Sequence, residues 1–298
     1  MKGLVAVDWG TSALRAALLD ERGQVVEEHS MPRGILTVAP GEFPSVFAAA
    51  TARWPQRGGM LCVLSGMIGS RQGWLEAPYC ECPAGFADIA GKLAWVEPAR
   101  IAIVPGLCCE QQGVPDVMRG EETQVFGALA LLGLRSALVV LPGTHSKWVR
   151  VAHGRIQTFS TFMTGEFYAL LRQHSILART LAESDGELNA EGFEQGLRHA
   201  IATGNLLRSA FSARTLSLFD RLSPQAAPSY LSGLVIGEEM RSQVLSRASA
   251  PVVLVGSAEL TKRYELGLGM LGVPCRTVGS QASWHGLWSI ARSLEKMG

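Results

Sequence analysis

Short apolar runs alternate with small polar turns at the start of the chain, in a pattern that predicts a three-stranded unit. Leu4 to Val7 form an apolar run typical of a buried strand, and the run ends on Asp8. Gly10-Thr11-Ser12 follows as a tight turn. An alternating stretch at 13–19, a turn at 20–23 and a further strand at 24–27 complete the unit.

The same pattern recurs in the second half of the chain. The predicted strands there are 137–141, 147–151 and 155–159, and the first two are joined by Pro142-Gly143-Thr144-His145-Ser146. Because glycine has no side chain, backbone N–H groups and hydroxyls in such loops can approach a phosphate closely. The duplication therefore predicts two domains built alike, whose loops face each other across a cleft and hold a polyphosphate.

The remaining pattern predicts an α/β protein. In the first half we expect helices and strands to alternate, at 43–54, 60–65, 86–94 and 100–104, followed by a loop at 105–120 and a helix at 121–132. In the second half we expect a broken helical stretch at 166–246, a strand at 251–255, a helix at 258–270, a strand at 276–278 and a last helix from about 284. The predicted domains are residues 1–130 and 131–298, and the sequence leaves open whether the last helix packs back on the first domain.

Composition and charge narrow the function only slightly. The 298 residues carry 27 Lys and Arg against 26 Asp and Glu, a net charge of +1, so no global field favours nucleic acid or an anionic membrane. The apolar run before Asp8 is too short for a signal peptide, and we expect a cytoplasmic protein. The six cysteines lack paired C-x-x-C spacing, so neither a structural metal site nor a disulfide is predicted.

The two loops resemble those of the superfamily of acetate and sugar kinases, heat-shock chaperones, hexokinase and actin. Residues 8–12 look like its first phosphate loop, and residues 142–146 occupy the place of the second, with Pro142 where an Asp is often found. Residues 252–257, an apolar strand that ends in Gly256-Ser257, are similar to its adenosine segment. The resemblance implies two duplicated ribonuclease-H-like (actin-like ATPase) domains with ATP in the cleft between them.

A narrower resemblance spans essentially the whole chain. Several blocks look like the signature of 2-dehydro-3-deoxygalactonokinases: residues 65–74, 77–79, 82–84, 115–124, 141–148 and 164–166. The resemblance implies ATP-dependent phosphorylation of the terminal hydroxyl of 2-dehydro-3-deoxygalactonate, in galactonate catabolism. The implied ligands are ATP, Mg²⁺ and a small sugar acid, and nucleic acid and membranes are not implied. Assembly into a homo-oligomer stays open.

The nucleotide side has a defined set of candidates. Asp8 ends a strand beside a phosphate loop, where a carboxylate usually holds Mg²⁺ or orients the attacking group, although strand-end acids also cap turns. Loop glycines and hydroxyls are candidate phosphate donors, with one arginine and one histidine beside them. The predicted ATP-binding residues are Gly10, Thr11, Ser12, Arg15, Gly143, Thr144, His145, Ser146, Gly256 and Ser257.

Glu121 is the predicted catalytic base. Phosphoryl transfer to an alcohol needs a carboxylate that aligns the hydroxyl and accepts its proton. Glu121 opens a predicted helix, where the helix dipole keeps a carboxylate ionised, but acids in first turns also occur for stability alone. Glu122 and Asp116 are the alternatives.

The substrate side is predicted from the block at 65–79. Arg71 follows a buried strand in a glycine-rich loop, and a guanidinium binds a carboxylate with two hydrogen bonds, so Arg71 is the predicted partner of the sugar acid. A solvated surface arginine is the alternative, and core packing is the alternative for the aromatic residues. The predicted substrate residues are Gly69, Ser70, Arg71, Trp74, Tyr79 and Glu166.

Three other functions fit parts of the pattern. They are a kinase for another 2-keto-3-deoxy sugar acid, an exopolyphosphatase-like phosphotransferase, and an ATP-driven switch or filament protein. The block at 65–74 favours the sugar-acid kinase, because a switch has no use for a pocket that binds a small acid.

Overall fold

A computed structural model describes residues 2–54, 58–182, 184–243, 245 and 251–296. The strands are β1 (Leu4–Trp9), β2 (Leu14–Leu19), β3 (Val25–Met31), β4 (Leu61–Ser65), β5 (Tyr79–Glu81), β6 (Ala94–Glu97), β7 (Ile101–Ile103), β8 (Gly106–Gln111), β9 (Val114–Met118), β10 (Ala137–Leu141), β11 (Ser146–Ala152), β12 (Arg155–Phe162), β13 (Val252–Val255) and β14 (Cys275–Val278). The α-helices are α1 (Phe43–Thr51), α2 (Phe86–Ala90), α3 (Glu121–Leu132), α4 (Thr164–His174), α5 (Ala190–Thr203), α6 (Leu206–Ser209), α7 (Ser212–Leu218), α8 (Ala227–Arg241), α9 (Ala258–Met270) and α10 (Gln281–Glu295).

The two larger sheets repeat one strand order. The first runs β3-β2-β1-β4-β7-β6 and the second runs β12-β11-β10-β13-β14. In each, three consecutive strands lie in reverse order and a later strand pairs with the first of them, parallel in both cases (β1 with β4, β10 with β13). The predicted duplication is therefore present in the topology.

The chain divides into two compact units. The first comprises the described residues up to Ala137, Val149–Phe159 and the residues from Ser280 on. The second comprises Leu138–Trp148 and Ser160–Gly279. These units do not coincide with the predicted limits of 1–130 and 131–298, since the first unit also contains Val149–Phe159 and α10, which packs against α3.

Each unit has an apolar core of its own. In the first unit, buried side chains of β1, β2 and β4 pack with those of α1, around the fully buried Trp9 and Trp54. In the second, β10 and β13 pack with α5, α8 and α9, and a further apolar cluster lies among the helices α5, α7 and α8.

Several predicted elements have the observed bounds, and others need correction. The helices at Glu121–Leu132 and Ala258–Met270 and the strand at Ala137–Leu141 agree with the sequence analysis. The predicted loop at 105–120 is wrong, because β8 and β9 form an antiparallel hairpin there, with Gln112 and Gly113 at positive φ in its turn. The predicted helix at 86–94 ends at Ala90, and the chain enters β6 at Ala94. The end of the predicted helical stretch, at 246, lies outside the described residues.

Two glycines bring α3 and α10 into backbone contact. A Cβ atom at Gly286 of α10 would lie 1.8 Å from the carbonyl oxygen of Thr123, and one at Gly127 of α3 would lie 1.8 Å from that of Ala282. Neither helix can move away without leaving a void in a close-packed interior. This contact fixes the helix whose first turn carries the predicted catalytic acids.

Replacing Gly286 tests this packing. Gly286→Ala should destabilise the protein by about 1–3 kcal/mol or more, because backbone atoms cannot yield to the new methyl group as a flexible side chain would. Gly269→Ala in α9 is the matched control, since its Cβ would meet no atom within 4 Å. The control should be neutral or stabilising by about 0.5 kcal/mol, the usual gain of alanine over glycine in a helix. Urea unfolding measures both, and equal midpoints would contradict the packing argument.

Candidate active site

The predicted acidic residue Asp8 lies where two parallel strands end side by side. Asp8 of β1 is in register with Ser65 of β4. Gly66 follows at positive φ, where a Cβ atom would lie 2.8 Å from the carbonyl oxygen of Trp9 and 3.5 Å from Oδ1 of Asp8. The chain can turn this close to the carboxylate only because residue 66 has no side chain.

The first turn of α3 reaches the same place. Gly120, also at positive φ, precedes the helix, and a Cβ atom there would lie 3.1 Å from Cα of Gly66. Thr123 donates a hydrogen bond of 2.6 Å to the Gly120 carbonyl and thereby closes the turn. Two glycines thus bring the end of β4 and the start of α3 together, next to Asp8.

Asp8 is already engaged in an ion pair. Arg15 of β2, directly opposite in the β-ladder, donates to Oδ2 of Asp8. Ser283 of α10 donates to the same oxygen over 3.1 Å, and the Arg15 guanidinium lies 5.2 Å from the ring centroid of Trp284. Asp8, the predicted metal ligand, and Arg15, a predicted phosphate contact, therefore form an ion pair with each other in this structure.

The three candidate bases differ in environment. Glu121 is half-buried, and its Oε2 accepts a hydrogen bond of 2.9 Å from the backbone N–H of Arg119. Glu122 is fully buried; Oε2 accepts from the Gly120 N–H over 2.7 Å, and Oε1 has no partner in the described chain. Asp116 lies on β9, and its Oδ1 accepts from the N–H of Val117.

Burial changes the charge of Glu122. Loss of solvation raises the pKa of Glu122 to about 8, and the nearby Glu121 carboxylate contributes to the rise. Glu122 is thus mostly protonated at neutral pH. A buried, protonated carboxyl is a poor base, so the geometry favours Glu121 between the two.

The predicted substrate residues of the first unit are spread over different environments. Arg71 is 87% exposed and pairs with Glu76 at 3.0 Å. Trp74 packs against the core with its ring centroid 5.6 Å from that of Phe47. Gly69 is buried, and the Ser70 hydroxyl is buried without a partner in the described residues.

Arg119 is a residue that the sequence analysis quoted within a block but gave no role. Its guanidinium stacks on Tyr79, 4.4 Å from the ring centroid, and Nη2 donates to the carbonyl of Ala77 over 2.8 Å. Its Nε and Nη1 are buried and have no partner in the described chain. The sequence held a weak signal for Arg119, a cation two residues before a helix that begins with two acids.

In the second unit, the loop at 142–146 packs against the start of α4. The carbonyl of Thr144 accepts a hydrogen bond from the N–H of Glu166, and a Cβ atom at Gly165 would lie 2.6 Å from the carbonyl oxygen of Gly143. Nε2 of His145 lies 2.5 Å from Oε2 of Glu166, so these two predicted residues are brought together. Glu166 thus lies beside the loop predicted for phosphate.

Glu239 of α8 is a second residue that the sequence analysis missed. Ser146 and Trp148 of β11 donate to Oε1, the first over 2.8 Å. Thr164 of α4 and Tyr264 of α9 donate to Oε2, the second over 2.8 Å. Burial raises the pKa of the Glu239 carboxyl, and the four donors oppose that rise. Ser146, a predicted phosphate contact, is fully buried, and its hydroxyl donates to Glu239 within this network.

A cavity of about 270 Å³ lies next to this loop in the second unit. Gly143, Thr144 and Gly165 line it from the loop side, and α8 and α9 supply an apolar wall with Ile236 and Leu260. Gly256 lies beside it, since a Cβ atom there would be 3.8 Å from the Pro142 carbonyl, and Ser257 caps α9. The volume lies just below the range of about 300–1,000 Å³ that is typical of small-molecule sites.

The first loop is open at its tip. Thr11 and Ser12 are exposed and Gly10 is half-buried. The carbonyls of Gly10 and Thr11 accept hydrogen bonds from the N–H groups of Ile35 and Leu36, which fixes the loop from behind. This leaves the hydroxyls on the outer side, where a ligand can reach them.

The described residues contain no group of three or more His, Cys, Asp or Glu that could hold a metal ion by themselves. A magnesium ion would therefore need most of its ligands from phosphate oxygens and water, with Asp8 as a protein carboxylate. None of the described helices is long and apolar enough to cross a lipid bilayer.

Comparison with known proteins defines the class first. The activator of the 2-hydroxyisocaproyl-CoA dehydratase from Clostridium difficile, solved with bound ADPNP, superposes with a TM-score of 0.51 at 12% identity, over 99% of this chain and 97% of that one. This likeness concerns the fold alone. The fold is that of the two-domain actin-like ATPases and sugar kinases, which confirms the predicted fold class.

The family follows from closer relatives. Residues 8–290 match the profile of the 2-keto-3-deoxy-galactonokinase family. The chain is 39% identical to the "Probable 2-dehydro-3-deoxygalactonokinase DgoK1" of Rhizobium meliloti, over 97% of this chain and 96% of the relative, and 35% identical to the 2-dehydro-3-deoxygalactonokinase of Escherichia coli, over 97% and 98%. A crystal structure of a candidate 2-dehydro-3-deoxygalactonokinase from Sinorhizobium meliloti has a TM-score of 0.86 at 38% identity, over 98% and 99% of the two chains. The chain belongs to the 2-keto-3-deoxy-galactonokinase family, as its resemblance implied.

The buried carboxyl of Glu122 predicts a pH dependence of stability. Its pKa in the folded protein, about 8, lies above the ordinary value of 4.5, so the folded state holds the proton more tightly. This stabilisation is complete below pH 4.5 and is lost as the pH rises towards 8, by at most about 1.4 kcal/mol per pH unit. Glu122→Gln imitates the protonated form and should gain stability relative to the wild type across this window.

Urea unfolding at pH 5, 6, 7 and 8 measures the difference. Glu110→Gln, at an exposed position on β8, is the control and should follow the wild type. A constant difference between Glu122→Gln and the wild type at all four pH values would show that Glu122 is ionised throughout.

Proposed function

We propose that this protein transfers the γ-phosphoryl group of ATP to the 6-hydroxyl of 2-dehydro-3-deoxy-D-galactonate and forms 2-dehydro-3-deoxy-6-phosphogalactonate. The observation that carries the proposal is membership of the family over nearly the full length of the chain and of its relatives. Two of the three alternatives from the sequence, an exopolyphosphatase-like enzyme and a switch or filament protein, have no comparable support; the third is a kinase for another 2-keto-3-deoxy sugar acid.

The acceptor is proposed to bind in the first unit, with its terminal hydroxyl at Glu121. A half-buried carboxylate at a helix N-terminus can orient the hydroxyl and accept its proton as the new P–O bond forms. The leaving group is ADP, and the proton lost by the hydroxyl passes to Oε1 or Oε2 of Glu121. Asp116 remains the second candidate, since it lies only a few residues upstream.

The nucleotide is proposed to bind with its adenosine part in the cavity of the second unit and its phosphates at the small-residue loop of that unit. Gly143 and Thr144 line that cavity, which supports the role predicted for them. The exposed Thr11 and Ser12 and the half-buried Gly10 are the matching candidates of the first loop. Mg²⁺ would neutralise phosphate charge, and Asp8 is the carboxylate that would hold it, directly or through water.

Asp8 must then exchange partners. Its carboxylate is paired with Arg15 and accepts a hydrogen bond from Ser283. A bound polyphosphate would offer Arg15 a second anionic partner, and Asp8 would then be free to hold a metal ion. In this proposal, Arg15 occupies the position of the metal ion beside Asp8, and Asp8 occupies the position of the phosphate beside Arg15.

Substrate choice tests the function. In an assay coupled to ADP release, 2-dehydro-3-deoxygalactonate should be phosphorylated with a kcat/KM at least about a hundredfold above that for glucose or galactose, because a neutral sugar lacks the carboxylate that a sugar-acid site would pair. The gluconate epimer should retain part of the activity, since only one hydroxyl is inverted. ADP release that is independent of the sugar would favour a switch protein and contradict the proposal.

Replacing Glu121 tests the base. Glu121→Gln keeps the size of the side chain but removes the proton acceptor, so kcat should fall by about a hundredfold to ten-thousandfold while both KM values change little. Glu122→Gln should be milder, because adjacent helix positions point about 100° apart and Glu122 is already mostly protonated. Steady-state kinetics of these variants and of Asp116→Asn give the answer. Normal kcat in Glu121→Gln with a collapse in Asp116→Asn would assign the base to Asp116.

A further inference from the structure

The guanidinium of Arg119 has hydrogen-bond donors without acceptors in the described residues. It lies between β9 and α3, and it is fixed by the Ala77 carbonyl and by the ring of Tyr79. A guanidinium has five N–H donors, and only Nη2 has an acceptor in the described chain. Buried polar groups are nearly always paired, so Nε and Nη1 need an explanation.

No acid in the described residues forms an ion pair with Arg119. Oε2 of Glu121 accepts a hydrogen bond from the backbone N–H of Arg119. Glu122, whose charge would interact with Arg119, is held mostly neutral by burial. The cation therefore lies in a partly dry environment without a counter-ion, which is costly unless a ligand supplies one.

A second unpaired donor lies on the neighbouring segment. Gly69 is so close to Arg119 that a Cβ atom there would lie 3.0 Å from Nη1. Ser70 follows directly, and its buried hydroxyl also lacks a partner in the described residues. A hydroxyl and a guanidinium are the donors that a carboxylate with an adjacent keto oxygen would take.

Resting on the proposed sugar-acid kinase activity, we infer that Arg119, with Ser70, binds the 2-keto carboxylate end of the substrate. Arg71, to which the sequence analysis gave this role, is 87% exposed and already pairs with Glu76. An ion pair on an exposed side chain contributes little, because water solvates both charges. The same carboxylate at Arg119 would fill donors that are otherwise unsatisfied.

Access to Arg119 requires the covering segment to shift. Nε and Nη1 are closed to solvent, and Tyr79 stacks on the guanidinium. Tyr79 is 41% exposed, so its ring can turn outwards without leaving a core. In this inference the ring of Tyr79 shields the Arg119 guanidinium from solvent and lies next to the bound substrate.

The test compares an acid with its neutral counterpart. kcat/KM is measured for 2-dehydro-3-deoxygalactonate and for its carboxamide, in the wild type and in Arg119→Met, Arg119→Lys and Ser70→Ala. The wild type should prefer the acid, and Arg119→Met should lose about 30- to 1,000-fold of kcat/KM on the acid, mostly in KM, with little change on the amide. Arg119→Lys should keep part of the preference, and Ser70→Ala should lose several-fold on the acid. KM for ATP should stay within twofold.

The acid-to-amide ratio separates recognition from damage to the fold, since misfolding lowers both activities together. Arg100→Met, at an exposed arginine paired with Glu97, is the control and should keep the wild-type ratio. An unchanged ratio in Arg119→Lys and Ser70→Ala, or a ratio that collapses in Arg71→Met instead, would overturn the inference while the kinase activity stands. A wild type inactive on the acid would instead overturn the proposed function itself.

Discussion

The contact between Gly66 and Gly120 is the constraint on which the candidate acceptor site depends. Both residues have positive φ, and a side chain on Gly120 would reach the Cα of Gly66. This contact sets the first turn of α3 against the end of β4, and β4 is paired with the strand that ends on Asp8. Without it, acids that are more than a hundred residues apart in sequence would not share one site.

Much of the architecture could be predicted from local patterns. The two hairpin units were visible because apolar runs, small-residue turns and alternation repeat in each half, and the helix at Glu121–Leu132 has the predicted bounds. The β8–β9 hairpin was missed because its strands contain glycine, proline and cysteines rather than an uninterrupted apolar alternation. Its turn at Gln112 and Gly113 is a short-range signal that the prediction did not use.

The site could be predicted in part, since a sequence gives residue types but not their partners. The loop glycines and Glu121 follow from spacing, and the sequence identifies them as candidates. The environments of the other candidate residues depend on burial, and burial depends on contacts between segments that are distant in sequence. Arg71 and Arg119 carry the same group, yet one is solvated beside Glu76 and the other is enclosed by Ala77 and Tyr79. Local sequence does not distinguish these two environments.

Buried polar groups are satisfied around Glu239 in the second unit, and several buried polar groups lack partners around Arg119 in the first. The carboxylate of Glu239 accepts four side-chain hydrogen bonds, two on each oxygen, so nothing is left for a ligand to supply. In the first unit, Oε1 of Glu122, Oγ of Ser70 and two nitrogens of Arg119 are buried without partners in the described residues. A satisfied network rigidifies a fold, whereas unsatisfied donors impose a free-energy cost that only a matching ligand removes. Such a site rejects molecules that lack the complementary group, because they leave the cost in place. The Glu239 network therefore holds the loop of the second unit in one conformation, whereas the unsatisfied groups around Arg119 would favour a ligand that satisfies them.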